Sequence, residues 1–201
     1  MVEVCAILLA AGLSRRMGDR NKLLLPVAGV RMIRRMVDTY RAAINGPVIV
    51  VTGHEAEAVA AALEGSEAKL VFNPDFAQGQ PTSVACGLRH APEGYDILIG
   101  LGDQPFLTGD DLNTLIAAHA AADPTRISIP MMQTQRGNPI LVPSSLKDRL
   151  LADPRAPGCK KFTRENPDHV QFLTIAAQGF YADIDTPEAY RALTSTLETS
   201  T

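Results

Sequence analysis

The segment LAAGLSRRMGDRNKLL, residues 9–24, follows directly on the apolar run VCAIL at residues 4–8. A buried strand therefore leads into a turn of small residues. Four cations follow within eight positions: Arg15, Arg16, Arg20 and Lys22. Small residues let backbone N–H groups approach a ligand, and clustered cations match a polyanion. The combination predicts a nucleoside triphosphate site after the strand, with a solvated basic loop as the simpler alternative.

Apolar, β-branched runs alternate with helical patterns along the chain. The predicted strands are Val4–Leu9, Pro47–Thr52, Lys69–Phe72, Asp96–Leu101, Arg126–Pro130 and Ile140–Val142. The predicted helices are Arg31–Ala43, Glu55–Leu63, Pro81–His90 and Gly109–Ala122, the last capped by Asp110 or Asp111. This alternation is typical of βαβ units, and continuous apolar strands indicate helices on both faces of the sheet. We therefore expect an α/β, three-layer, Rossmann-like fold with a mostly parallel central sheet and ligands at the carboxyl ends of its strands.

Length and charge limit the possible functions. The chain has 201 residues, of which 46% are hydrophobic, and this suits one well-buried domain. The 19 basic and 22 acidic residues give a net charge of −3, which disfavours a general nucleic-acid binder. No apolar run reaches the roughly 18 residues that a membrane span needs. Glu3 interrupts the first apolar stretch, so we expect neither a signal peptide nor a membrane partner.

Cysteine and histidine usage indicates no metal knot. Cys5, Cys86 and Cys159 are far apart and form no CxxC pair, which favours a reducing cytoplasm, and we expect Cys5 and Cys86 to be core residues. The four histidines are isolated and are expected at the surface or on helix faces: His54, His90, His119 and His169.

The loop after the first strand fits neither common phosphate motif. A Walker loop needs GxxxxGK[ST], but Gly12 and Gly18 have the wrong spacing for it. The dinucleotide fingerprint needs GxGxxG, but Ser14 holds the second glycine position and Arg15 follows it. Arginines within the loop indicate a ligand with more negative charge than a dinucleotide.

Two carboxylates are candidate metal ligands. Asp103 follows the strand DILIGL, within LGDQP, where a carboxylate could hold Mg²⁺ against the phosphates of a nucleotide. Asp185 precedes Thr186 and Pro187, which have the pattern of a helix start. Asp185 is a candidate second ligand, with a turn or capping role as the alternative.

A third element follows the strand that ends at Phe72. Gly79 opens the next helix, whose first turn presents free N–H groups. Ser83 could hydrogen-bond a base edge, although a serine on a helix surface would be equally consistent with the pattern.

These elements together resemble the MobA-like nucleotidyltransferase superfamily, which includes the molybdenum-cofactor cytidylyl- and guanylyltransferases. The resemblance spans about residues 3–193. The first segment resembles LAAGxSxRMGxxKLL, LGDQP resembles the LGDMP or LGDQP box, and DIDTPEAY at 183–190 resembles DIDTPEDY. RGNP at 136–139 resembles the RGHP segment of the molybdenum-cofactor branch, with Asn138 where histidine is usual.

The resemblance implies a fold of the nucleotide-diphospho-sugar transferase type and a role for each matching residue. Residues 1–201 would form one domain, with a nucleotide half at about 1–110 and an acceptor-side half at about 111–194. The nucleotide would contact Leu9, Ala10, Ala11, Gly12, Ser14, Arg15, Arg16, Lys22, Gly79, Ser83 and Asp103. The catalytic residues would be Arg16, Lys22 and Asp103, and Mg²⁺ or Mn²⁺ would bind Asp103 and Asp185. The acceptor would contact Gln104, Pro105, Arg136, Gly137 and Asn138.

The implied reaction joins an NMP from an NTP to a phosphorylated acceptor of the molybdopterin type and releases pyrophosphate. Ala11 stands where the guanylyltransferase branch has glycine, which favours CTP. A molybdoenzyme or its chaperone would be the protein partner. Because RGNP and the stretch Asp153–Arg164, which begins with a Pro-rich loop at Asp153–Gly158, depart from the family, a sugar phosphate or other alcohol phosphate is the nearest alternative acceptor.

Two alternatives belong to other functional classes. A non-catalytic carrier that inserts the cofactor into a partner enzyme would not need Lys22, Asp103 and Asp185 together. A nicotinamide-dependent oxidoreductase is disfavoured by the broken GxGxxG pattern.

Overall fold

Strands and helices alternate along residues 3–18, 20–152 and 159–198, which the computed structural model describes. The strands are β1 (Val4–Ala10), β2 (Pro26–Val27), β3 (Val30–Arg31), β4 (Val48–Thr52), β5 (Lys69–Phe72), β6 (Asp96–Leu101), β7 (Ile127–Met132), β8 (Gln135–Arg136), β9 (Ile140–Val142) and β10 (Val170–Thr174). The α-helices are α1 (Met32–Ala43), α2 (Ala56–Ala62), α3 (Gln80–His90), α4 (Gly109–Ala121), α5 (Lys147–Leu151), α6 (Cys159–Glu165) and α7 (Pro187–Glu198).

One eight-stranded sheet organises the chain. Its order is β10-β7-β9-β6-β1-β4-β5, and β8 pairs with β7. The pairs of β1 with β4 and β6, of β4 with β5 and of β7 with β10 are parallel. Strand β9 runs antiparallel to β6 and β7. The sheet is therefore mixed but mostly parallel, which confirms the predicted α/β class, and the carboxyl ends of β1, β4 and β6 share one edge.

Helices cover both faces of this sheet. Side chains alternate along β1, so that Leu8 packs in one core with Tyr40 of α1 and Leu115 of α4. Ile7 packs on the opposite face with Leu88 of α3 and Leu150 of α5. This two-sided burial explains the continuous apolar strands and confirms the three-layer arrangement.

Most of the predicted elements are confirmed, with bounds that shift by one or two residues. Strand β7 begins at Ile127 and continues to Met132, and β10 was not predicted because it is a half-exposed edge strand. Helix α4 is capped by Thr108 rather than by Asp110 or Asp111. Thr108 Oγ1 accepts from the Asp111 N–H, and Asp111 accepts from the Thr108 N–H, which forms a capping box. The Pro-rich loop at 153–158 lies outside the described residues.

His119 lies on a helix face, one of the two positions predicted for the histidines, and that face is buried. It is 1% exposed on the inner face of α4, with its Nδ1 2.7 Å from Ser128 Oγ and its Nε2 3.6 Å from Asp96 Oδ2. Cys5 and Cys86 are buried, as predicted, and burial raises the pKa of the Cys5 thiol to about 12. These side chains pack between the sheet and its helices, away from the strand ends that carry the site.

The contact between α3 and β1 generates a stability prediction. A Cβ atom at Gly87 would lie 2.4 Å from Cγ2 of Ile7 in a packed core. Gly87→Ala should therefore lower the free energy of unfolding by about 1–3 kcal/mol, as overpacking typically does. Gly109→Ala is the matched control, because its Cβ would meet no atom closer than the Thr39 carbonyl at 4.0 Å. Urea denaturation measures both variants, and equal stabilities would contradict the close packing.

Candidate functional site

The ends of β1 and β6 bring the loop at 11–22 next to Asp103. The two strands are parallel neighbours in which Leu9 pairs with Leu101. The chain therefore leaves both strands at the same edge, and the Gly102 N–H donates to the Leu9 carbonyl at 3.1 Å. This register places the basic loop and the carboxylate side by side, although 81 residues separate Lys22 from Asp103.

Buried apolar anchors hold the basic loop in place. Arg15–Met17 and Lys22–Leu24 form short 3₁₀ helices, in which Met17 and Leu23 are buried. Asn21 caps the second turn, since its Oδ1 accepts from the Leu23 N–H at 3.1 Å. Because the backbone is fixed on both sides of Lys22, the position of its ammonium group depends on side-chain rotation alone.

A backbone hydrogen bond from the residue before Asp185 holds Asp185 beside Asp103. The N–H of Ile184 donates to the Asp103 carbonyl at 2.9 Å, and Ile184 is 3% exposed. Gln104 supports the same segment, because its Nε2 donates to the carbonyl of Phe180 at 3.1 Å. The segment at 183–185 is thereby held against the end of β6.

Lys22 lies between the two carboxylates. Its Nζ pairs with Asp103 Oδ2 and donates to Asp185 Oδ1 at 2.6 Å. Arg16 Nη1 contacts the other oxygen of Asp185, Oδ2, at 2.6 Å. The Lys22 and Asp103 side chains are only 14% and 11% exposed, whereas the Arg16 side chain is 72% exposed. Lys22 is therefore the inner cation of the site and Arg16 the outer one.

These contacts shift the pKa values of the three inner groups. Burial lowers the pKa of Lys22, but Asp103 and Asp185 more than offset this, so the pKa lies above its usual value. Burial raises the pKa of Asp103, and Lys22 offsets only part of that increase. The hydrogen bond from Lys22 lowers the pKa of Asp185. The ionised form of Asp103 thus depends on a cation beside it.

A third carboxylate, Asp183, completes an acidic group with Asp103 and Asp185. One oxygen from each of the three lies within 4.8 Å of the others. Asp103 Oδ1 is buried and has no hydrogen-bond partner among the described residues. Carboxylate oxygens are the ligands that Mg²⁺ and Mn²⁺ prefer, so these residues fit a divalent cation. The sequence analysis missed Asp183, although it belongs to the DIDTPEAY motif.

The start of α3 forms the wall opposite the carboxylates. Gly79 is the N-cap residue of α3, and Ser83 is 3% exposed. Asn73 holds Ser83 in place, since its Nδ2 donates to Ser83 Oγ at 3.0 Å. The Ser83 hydroxyl accepts this bond, so its own proton is available to an acceptor atom in the cleft.

A first cavity of about 520 Å³ lies between these walls. The predicted residues on its lining are Leu9, Ala11, Gly12, Ser14, Arg15, Arg16, Lys22, Gly79, Ser83, Asp103 and Asp185. Ala10 is not on the lining, because it is 1% exposed within the core. Phe76, Ala77 and Gln80 also line the cavity and were not predicted, although they flank Gly79 in the sequence.

A second cavity of about 700 Å³ adjoins the first, and both are lined by Leu9, Gln80 and Leu101. Arg136, Gly137 and Asn138, which were predicted to contact the acceptor, lie on its wall. Gln104 and Pro105 lie on neither lining, and Gln104 is 1% exposed, which gives it a supporting position instead. The cavity also gathers cations that were not predicted: Lys160, Lys161 and Arg164 of α6.

Comparison with known proteins identifies the family. Residues 6–170 match the model of the MobA-like NTP transferase domain. The chain belongs to this family. The family name, NTP transferase, agrees with a cleft that is lined by a basic loop and carboxylates. The resemblance found in the sequence is confirmed.

Relatives of this MobA-like NTP transferase carry several names. Nicotine blue oxidoreductase of Paenarthrobacter nicotinovorans is 29% identical over 94% of this chain and 96% of its own. The bifunctional protein GlmU of Symbiobacterium thermophilum is 35% identical, but the match covers 61% of this chain and only 26% of GlmU.

Solved structures of full-length neighbours confirm the fold. A nucleotidyl transferase from Methanothermobacter superposes with a TM-score of 0.83 at 24% identity, covering 99% of both chains. Rv0371c from Mycobacterium tuberculosis superposes with a TM-score of 0.79 at 26% identity, over 96% of this chain and 98% of its own. Molybdopterin-guanine dinucleotide biosynthesis protein A from Archaeoglobus fulgidus gives 0.73 at 16% identity, over 98% and 100%. Among the described residues, no helix is long and apolar enough to cross a membrane.

The lowered pKa of Asp185 generates a prediction about pH. The charged form of Asp185 is favoured in the folded MobA-like transferase, so it contributes stability above its unfolded pKa of about 3.9. This contribution is lost as the pH falls through the folded pKa. Asp185→Asn should therefore lower Tm near neutral pH, and the difference from wild type should shrink below about pH 4. Thermal melts from about pH 3 to 7 test this. A difference that stays constant across the range would mean that the loss comes from packing.

Proposed function

We propose that this chain transfers an NMP from an NTP, with CTP preferred, to a phosphorylated acceptor of the molybdopterin type, and releases pyrophosphate. The observation that carries the proposal is the position of Lys22 and Arg16 beside Asp103 and Asp185, on a cavity that opens into a second cation-rich cavity. The two cavities would hold the donor and the acceptor next to each other.

The residues of the first cavity suit a triphosphate. Lys22 and Arg16 would neutralise its oxygens, and the N–H groups at the start of α3 add donors on the opposite wall. Asp103 and Asp185, with Asp183 beside them, would hold Mg²⁺. The bound ion would supply charge neutralisation for the phosphates.

The reaction needs positioning more than proton transfer. An oxygen of the acceptor phosphate forms a bond to the α-phosphorus while the bond from that phosphorus to the bridging oxygen breaks, and pyrophosphate leaves. A phosphate monoester has a second pKa near ~6 and is mostly dianionic at pH 7, so no general base is required. The first cavity's lining contains neither histidine nor cysteine among the described residues, which agrees with this mechanism. Lys22 and Arg16 then stabilise the charge that develops on the phosphates.

The base side of the first cavity supports CTP. A Cβ atom at Gly53 would lie 2.5 Å from the Phe76 Cβ and 2.8 Å from the Ala11 Cβ, so these two side chains meet above Gly53. Ala11 and Phe76 both line the cavity, and a methyl group at position 11 would leave less room there than a glycine, which favours a pyrimidine over a purine. Ser83 offers a proton to an acceptor atom of the base.

The chemistry of the second cavity supports an acceptor with an apolar or ring-like body and a phosphate. Its floor consists of aliphatic side chains that offer a sugar ring no hydrogen bonds: Val84, Ile99, Leu101, Ile129 and Ile140. Cations and a few polar groups line the rest of it. This distribution favours a molybdopterin-type acceptor, whose flat ring faces could lie against the aliphatic side chains while its polar edge meets the polar groups, over a hexose phosphate, which carries hydroxyl groups all around its ring.

Removing the buried carboxylate tests the proposed reaction. Asp103→Asn should lower pyrophosphate release, measured with each of the four NTPs and molybdopterin, by at least ~10²-fold, because a preorganised charge partner is lost. Asp38→Asn is the control, since Asp38 is an exposed carboxylate on α1 that pairs with Arg34 of the same helix. Circular dichroism confirms that each variant is folded. Near wild-type turnover by folded Asp103→Asn would contradict the assignment.

A redox reaction is the alternative that one relative raises, because that protein is named as an oxidoreductase. The loop that carries Ser14 and Arg15 lacks the dinucleotide fingerprint. The same wild-type protein can be tested for NAD(P)H oxidation with a quinone-type dye. Dye reduction without pyrophosphate release from any NTP would replace the nucleotidyltransferase proposal.

The second cavity makes a separate prediction about the acceptor. Arg164→Met should raise the KM for molybdopterin by about tenfold, because a charge-assisted contact to the acceptor phosphate is lost, and it should leave the KM for CTP unchanged. Arg89→Met is the matched control, because Arg89 lies at the exposed end of α3 and lines neither cavity. Equal effects on the two KM values would show that Arg164 does not act on the acceptor.

A further inference from the structure

We propose that Lys22 occupies the metal position in the ligand-free protein, so that a divalent cation and the Lys22 ammonium group compete for the same carboxylates. The metal ion would then bind well only together with the nucleotide, which gives Lys22 a new partner. This inference rests on the proposed function and concerns the order in which that site is filled.

The geometry places Lys22 within the acidic group. Its Nζ contacts an oxygen of Asp103 and an oxygen of Asp185, and Asp183 lies within the same 4.8 Å cluster of oxygens. A cation held by these oxygens would lie close to the ammonium group, beside Lys22 and Asp103 side chains that are only 14% and 11% exposed. Two positive charges at such a separation repel strongly, because the surroundings screen them poorly.

A second observation shows that the acidic group is not saturated by Lys22. Asp103 is 8% exposed, and its Oδ1 is buried with no hydrogen-bond partner among the described residues. An unpaired buried carboxylate oxygen is costly unless something binds it. Lys22 therefore pairs with Asp103 and Asp185 without satisfying every oxygen of the group, and a cation with several oxygen ligands would satisfy more of them.

Lys22 can leave this position without moving the backbone. Its main chain is held by the Asn21 cap and by buried Leu23, while its four-carbon side chain has several rotatable bonds that can carry the ammonium group to a new partner. The first cavity lies on the same side, so a bound triphosphate would offer phosphate oxygens within reach of the ammonium group. Binding of nucleotide and of metal would then strengthen each other by the same factor, as linkage requires.

Mn²⁺ binding to the full-length protein tests the competition without any turnover. Free Mn²⁺ is counted by electron paramagnetic resonance, with and without the α,β-methylene analogue of CTP. Without nucleotide, Lys22→Met should bind Mn²⁺ at least about tenfold more tightly than wild type, because the competing charge is gone. Lys69→Met, which removes the same charge from the exposed edge strand β5, should bind Mn²⁺ as wild type does.

The nucleotide analogue provides the second readout. It should tighten Mn²⁺ binding to wild type by a larger factor than it tightens binding to Lys22→Met. Equal Mn²⁺ affinities of wild type and Lys22→Met would overturn the proposal. So would a gain in Mn²⁺ affinity in Lys69→Met as large as that in Lys22→Met. If Lys22→Met fails to fold, Lys22→Gln replaces it. Wild type by itself also tests the proposal, because equal Mn²⁺ affinities with and without the analogue would overturn it. Because no step of this measurement requires nucleotidyl transfer, its failure is distinct from an absence of pyrophosphate release.

Discussion

The burial of the Asp103 carboxylate constrains the parts of the chain that surround it. A charged group at 8% exposure is unfavourable without a partner, and Lys22 supplies that partner from the loop after β1. The backbone carbonyl of Asp103 accepts a hydrogen bond from the Ile184 N–H, which places Asp185 beside Asp103. One buried charge thus ties together three segments that are far apart in sequence. These contacts fix the relative positions of the charged residues that line the first cavity.

Much of the fold is encoded locally and could be predicted. Strands β4 and β6 are continuous apolar runs, and such runs report burial on both faces. Edge strand β10 carries a weaker signal, because solvent covers part of it and its pattern resembles a loop. The burial of His119 on its helix face was not predicted, since an alanine-rich helix does not indicate that one polar side chain will meet Ser128 across the core.

The candidate site likewise contains residues that could be predicted from the sequence and residues that could not. Lys22, Asp103 and Asp185 carry motif signals, and the structure brings their charged atoms together. Asp183 belongs to the DIDTPEAY motif, but tertiary packing places it beside Asp103 and Asp185, as it places the α6 cations on the second cavity. Gln104 shows the reverse case, because a motif residue supports the Phe180 backbone instead of lining a cavity. A motif therefore marks where a segment matters, whereas packing decides how each of its residues contributes.

The narrow overlap between the two cavities, at Leu9, Gln80 and Leu101, has an evolutionary consequence. Mutations on β7, β9 or α6 can reshape the second cavity while the basic loop and the carboxylates of the first stay intact. A lineage can therefore alter one cavity without rebuilding the other. Duplication followed by drift in the later strands gives such a fold a short route to new chemistry.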